Sequence, residues 1–413
     1  MRKMDARIKE ERTAEVTLLI TTEDDHPLAE REVEIAQTKH RFLFGSNGFF
    51  LLPLANNELT GAEKERTAQI AEHFLALMNY VTLPFYWGRF EPEPGKPDTE
   101  RLRQTAKWCV EHGLQVKGHP LCWHTLTAPW LLQLTNEEII AAQLGRIRRD
   151  VSAFAGLIDC WDVVNEAVIM PNFNKYDNGI TRICKELGRI KTIKLMFEAA
   201  RQTNPQAVLL LNDFDVSPAY EILIEGCLAA GVQIDVIGIQ SHMHQGYWGV
   251  EKTEQILERF ARFNLPLHFT ETTLVSGALM PPEYEDLNDY QVTDWPSTQE
   301  GEERQARETV LHYKTLLAHP LVTGITWWDL LDGQWLNAPG GLLRKDGSPK
   351  PAYEELHKLV KGEWWLAPTV FRTDREGKVK FRGFLGDYEL RYAGRRLPFQ
   401  LEEKGEVTLK LKL

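Results

Sequence analysis

Cysteine is scarce in this chain. Only five occur in 413 residues, at Cys109, Cys122, Cys160, Cys184 and Cys227. An odd, scattered set excludes a disulfide-built scaffold and fits reduced, buried thiols. No CxxC pair or His/Cys cluster points to zinc. Basic excess is also missing. The net charge is −11 and the pI about 5.6. That removes the electrostatic footprint of a nucleic-acid binder and argues against an anionic membrane as partner. No apolar run reaches 18 residues, so no membrane-spanning helix is expected. The first stretch, MRKMDARIKEERTAEV, has basic residues but no apolar core. It is not read as a secretory signal, and the protein is expected in the cytoplasm.

Short apolar runs that end on polar or aromatic residues are plentiful. They are HRFLFGSN (40–47), NYVTLPFYW (79–87), LQVKGHPLCWH (114–124) and CWDVVNE (160–166). Then come AVLLLNDFD (207–215), VIGIQSHMH (236–244), LPLHFTETT (265–273) and TGITWWDLLD (323–332). Stretches of helical period lie between them, such as 99–113, 189–203 and 253–264, with stops at HGL, TNP and FNLP. Eight strand–helix alternations predict an α/β protein built as a (β/α)8 TIM barrel. An open doubly wound sheet is the alternative. It usually has fewer strands, and no GxGxxG follows the first one.

The ends read differently. Residues 14–37 suggest two strands around a DDHP turn. Residues 369–413 alternate in polarity, with turns at REGK, YAGR and EKGE. Both ends are expected to join in one small antiparallel β-module on the barrel. This divides the chain into 1–39, a barrel at 40–363, and 364–413. A separate C-terminal binding domain is disfavoured, since no Gly/Pro/Ser-rich linker precedes it. After the seventh run, residues 274–309 form a long loop. A helix is expected to begin near Ser297, with Glu300 completing a capping box.

Active sites of such barrels lie at the C-terminal ends of the strands. The polar tips therefore converge. The third strand brings His119, Trp123 and His124, the fourth Asn165 and Glu166, and the fifth Asn212 and Asp213. The sixth brings Gln240, His242 and His244, the seventh Glu271, and the eighth Trp327, Trp328 and Trp335. Glu166 and Glu271 each follow an apolar run and make a matched pair. Glycoside hydrolysis needs two carboxyl groups, one protonated and one ionised. Tryptophan walls favour the protonated form of one partner and stack on sugar rings.

WDVVNE, GHPLCWH, LLNDFD, GIQSHMH, FTE, the WW…D…W series and SPKPAY (348–353) together resemble glycoside hydrolase family 10, the xylanase family. The resemblance spans roughly residues 40 to 360. It implies a retaining double displacement on β-1,4-linked xylose oligomers, with Glu166 as acid/base and Glu271 as nucleophile. It implies that His119, Trp123, Asn165, Gln240, His242, Trp328 and Trp335 line the subsite beside the cleaved bond. Asn165 would bond the sugar 2-hydroxyl, and His242 would hold Glu271. An oligosaccharide is the implied partner, with neither cofactor nor metal. Oligomeric state is left open.

Two stretches depart from the family pattern. The ENxxKW motif that grips the glycone side is replaced by TLPFYWGRFEPEPG (82–95), which keeps Trp87 and offers Tyr86 and Arg89. Thr273 stands where the family has an Asp that orients the histidine. A different sugar for a same-clan β-glycosidase therefore stays open. So does a metal-dependent hydrolase using His242 and His244, although the first strand offers only His40. A non-catalytic sugar-binding barrel is the fourth reading. Asn212 and Asp213 are read as loop locks, and Arg89 as one half of a surface salt bridge.

Overall fold

A computed structural model describes residues 2–413. Eight parallel strands close into a barrel, as expected. In chain order they are Leu43–Asn47, Tyr80–Pro84, Gln115–His119, Cys160–Asn165, Val208–Asp213, Val236–Met243, Leu267–Leu274 and Val322–Trp327. Each coincides with one of the eight apolar runs, six lying wholly inside and the last two overrunning by one residue, at Leu274 and Val322. Both faces of these strands are covered, so they read as continuous apolar stretches rather than alternating ones. Helices such as Thr99–Glu111, Arg189–Thr203 and Gly249–Ala261 lie between them. All five cysteines are free, and four are buried.

The barrel interior is not purely apolar. Lys117 and Asp162, both with no solvent exposure, form an ion pair at 2.7 Å. A buried pair of this kind is costly to break, because the survivor is left uncompensated. Gly118, beside Lys117, is required by packing. A Cβ there would lie 2.1 Å from Cζ3 of the buried Trp161 ring.

The terminal segments form two sheets rather than one. Thr13–Thr21 sits between Lys378–Phe384 and Gly405–Lys412. Glu32–His40 lies between Thr369–Arg372 and Gly386–Tyr392, with Arg395–Leu401 at the edge. The two N-terminal strands are therefore not a hairpin. A shared core, including Val16, Leu18, Ile35, Val379, Leu390 and Leu401, joins the sheets. The pairing of Thr13–Thr21 with Gly405–Lys412 is parallel, against the antiparallel expectation. The YAGR turn is a hairpin, with Ala393 and Gly394 both at positive φ.

Two local features differ from the sequence reading. Arg2–Arg12 is a helix, unheralded because it is charged nearly all round and buries only Ile8. The helix after the long loop spans Gln299–Leu317, with Thr298 as its cap. The Thr298 side chain accepts a hydrogen bond from the Gly301 amide. The third helical residue is thus Gly301, which cannot complete a capping box. Ser297 instead donates to Glu302.

Candidate active site

The fourth strand ends abruptly for a visible reason. Its register slips between Asp162 and Val164, and Glu166 then takes a left-handed backbone, φ 56. A non-glycine residue in that region is uncommon and is held only by its surroundings. The Asn165 amide donates to the Cys122 carbonyl, and the Glu166 amide to the Asn212 carbonyl. The segment after the third strand and the tip of the fifth thus fix the turn that presents the carboxylate.

Glu166 and Glu271 are joined by a ladder of side-chain amides. Gln240 Nε2 donates to Glu166 Oε1 at 3.2 Å and to Asn165 Oδ1 at 3.1 Å. Asn212 Nδ2 donates to Asn165 Oδ1 at 2.9 Å and to Glu271 Oε1 at 3.0 Å. Asn212 Oδ1 accepts from the Thr270 hydroxyl at 2.6 Å. Trp123 Nε1 donates to Glu166 Oε2 at 2.7 Å. His124 Nε2 lies 3.9 Å from the same oxygen.

The two carboxyl groups are pushed in opposite directions. Burial drives Glu166 up to about 8, and the charges of Glu271 and Asp213 add to it. Burial would raise Glu271 too, but the His242 hydrogen bond and the charges of His119, His242 and Lys117 outweigh it. Glu271 is therefore held below the ordinary carboxylate range. At neutral pH the site has one protonated and one ionised carboxyl group, the arrangement acid–nucleophile chemistry requires.

The histidines are held by defined partners. His242 Nε2 donates to Glu271 Oε2 at 3.1 Å. Its Nδ1 lies 3.3 Å from the Thr273 hydroxyl, an uncharged group able to donate or accept. His119 Nδ1 donates to Asp162 Oδ2 at 2.6 Å, which turns Nε2 toward Glu271, 4.0 Å away. Burial alone would raise Asp162, but Lys117 and His119 hold it below its ordinary value. The chain Lys117–Asp162–His119 so carries the orientation of a pocket residue down into the barrel.

Trp328, Trp335, Tyr86 and Phe49 wall the pocket. The Trp328 ring lies 5.4 Å from His119 and 5.7 Å from Phe49, and Trp335 lies 4.7 Å from His242. Tyr86 packs against His119 and Trp123. Trp327 is not part of this wall. It is fully buried, with its indole N–H on the Gly340 carbonyl. Trp87 is likewise a packing residue, bonded to Glu91 and covered by Trp130. Arg89 is exposed over the Tyr86 ring and has no ion-pair partner among the described residues, contrary to the salt-bridge reading.

His244 is buried against Trp335 and Trp295, and burial lowers it to about 3. Among the described residues no three His, Cys, Asp or Glu side chains gather as a metal-holding group. Asp213 does lock a loop, accepting from the Val168 and Asp215 amides. Asn212 does more, as the central rung between the two glutamates. Three residues were not singled out in the sequence. Asp329, at φ 67, exchanges hydrogen bonds with Asn47 and accepts from the Trp335 amide. Phe214 stands half exposed beside Asp213. Phe49, in the first loop, closes one wall. Asp329 and Phe214 sit at the polar ends of TGITWWDLLD and AVLLLNDFD, where position is the available signal.

Residues 48–359 match the sequence profile of glycosyl hydrolase family 10. Endo-1,4-beta-xylanase A of Xylanibacter ruminicola is 29% identical over 304 residues, covering 65% of this chain and 80% of that protein. Beta-1,4-xylanase of Dictyoglomus thermophilum is 28% identical over 292 residues, covering 66% and 79%. The solved structure of xylanase 10B from Thermotoga petrophila superposes with a TM-score of 0.63 at 21% identity, covering 78% of this chain and 95% of that one. That likeness carries the barrel fold. The profile match carries more: with its barrel and paired glutamates, this chain belongs to glycosyl hydrolase family 10.

Proposed function

We propose that this protein hydrolyses β-1,4-xylosidic bonds in xylan-derived oligosaccharides with retention of configuration. The observation that carries the mechanism is the split protonation of two carboxyl groups on one amide ladder. The two xylanase relatives support the choice of sugar. Glu271 attacks the anomeric carbon while Glu166 gives its proton to the departing glycosidic oxygen, and the C–O bond breaks. A glycosyl ester on Glu271 results. Glu166, now ionised, takes a proton from the water that displaces Glu271. Asn165 has an amide N–H left to meet the sugar 2-hydroxyl, and His242 keeps Glu271 in place. Gln240, Trp123, His119, Trp328 and Trp335 complete the surroundings of the reacting sugar.

The Glu271→Ala variant should lose turnover, and azide should restore part of it with inverted anomeric configuration. Ordinary activity in that variant would mean that the nucleophile is misassigned. For Glu166→Ala, substrates with good leaving groups should lose least, since they need no protonation. Product analysis on xylotetraose beside cello- and manno-tetraose tests the sugar. A second reading, a same-clan β-glycosidase for another sugar, draws on the Phe49–Tyr86–Arg89 wall. Cleavage of a different tetraose in place of xylotetraose would favour it.

A further inference from the structure

The long loop after the seventh strand is a built element. Its ends meet, with the Thr298 amide on the Ser276 carbonyl at 2.9 Å and the Ser276 and Ser297 hydroxyls 2.7 Å apart. It has its own small core, in which Met280 and Trp295 are buried and Tyr284, Leu287 and Tyr290 pack on them. The Gln245 amide holds it from the loop after the sixth strand, donating to the Pro281 and Tyr284 carbonyls.

The tip of this loop, residues 286–289, reaches the neighbours of both glutamates. On one flank Lys175, in the segment that follows Glu166, lies 2.6 Å from Asp286 and 2.5 Å from Asp289. The Asp286 charge also acts on His124, which adjoins Glu166. On the other flank Trp335 Nε1 donates to Asn288 Oδ1 at 3.3 Å, and Trp335 packs on His242, which holds Glu271. The tip thus spans from the segment after the fourth strand to the segment after the eighth.

We propose that this tip is a roof over the cleft, fastened by Lys175, that selects short oligosaccharides over polymer. An open cleft receives a polymer sideways, with chain continuing past both ends. A roof tied on both flanks blocks that approach until one tie opens, whereas a short oligomer enters lengthwise. The choice of xylose oligomers as the probe rests on the function proposed above.

The test compares kcat/KM on polymeric xylan with kcat/KM on xylotetraose. Lys175→Ala should raise that ratio by about fivefold, the upper range of one exposed ion pair. Asp286→Asn with Asp289→Asn should do the same. High salt should shift the unmodified enzyme in that direction and leave Lys175→Ala unmoved, since the tie is partly exposed and screened. An unmodified enzyme that cuts polymer as readily as xylotetraose overturns the roof. An unchanged ratio in Lys175→Ala does so too. An enzyme inert on xylotetraose fails the xyloside assignment instead, and the ratio is then measured on whichever of cellotetraose or mannotetraose is cleaved, against its polymer.

Discussion

Glu166→Gln keeps the shape of the side chain and removes its charge. In the folded protein the Glu166 carboxyl is raised from 4.5 to about 8, chiefly by burial. Between those values the folded chain keeps a proton that the unfolded chain has released. The stability from that proton is fully present below pH 4.5 and is lost as pH rises through about 8. At about 1.4 kcal/mol per pH unit, the gap sets a ceiling of about 5 kcal/mol. The side chain is only 14% exposed, so solvent screens little of it. Gln never carries this penalty. Urea unfolding of both proteins from pH 5 to 9 should show the variant gaining about 3–5 kcal/mol on the unmodified enzyme as pH rises. Parallel stability curves would refute the raised carboxyl and with it the acid assignment. Activity should move the opposite way, with about 10²–10⁴-fold loss on substrates with poor leaving groups.

Asp162→Ala should destabilise the fold by about 3–5 kcal/mol, because it strands the buried Lys117 ammonium. Calorimetry checks this, and kcat should also fall as His119 loses its anchor. Asn212→Ala removes a donor from Asn165 and from Glu271, at a cost of about 1–3 kcal/mol. Its kinetic signature should be a lowered kcat with little change in KM, and a change confined to KM would place Asn212 in ground-state binding. Gly118→Ala drives a methyl into the Trp161 ring and should cost about 3 kcal/mol, read as a lowered Tm.

The barrel was legible because each strand is a short buried run with a polar tip, a pattern set locally along the chain. Glu166 and Glu271 were legible for the same reason: a carboxyl group at the end of an apolar run needs an explanation. Asn212 was read as a loop lock because its importance lies across strands, in bonds to residues 47 and 59 positions away. No local pattern encodes such a ladder. Trp327 and Trp328 are adjacent and chemically alike, yet Trp327 ends its strand and packs inside, whereas Trp328 lies just beyond the strand and faces the pocket wall. The cap at Thr298 was missed by one residue, since Ser297 and Thr298 are equivalent as caps until the partner of Ser297 is known. The parallel pairing of the terminal strands was also invisible, because alternation gives strand character but not strand direction.

That pairing imposes an order of events on biosynthesis. The Thr13–Thr21 strand has both of its partners at the far end of the chain, in Lys378–Phe384 and Gly405–Lys412. At typical elongation rates it waits on the order of 20–80 s, while the whole barrel emerges from the ribosome, before either edge is covered. Throughout that interval Val16, Leu18 and Ile20 are an unsealed apolar strand, and the nascent chain depends on prompt completion or on a chaperone to keep it from pairing elsewhere.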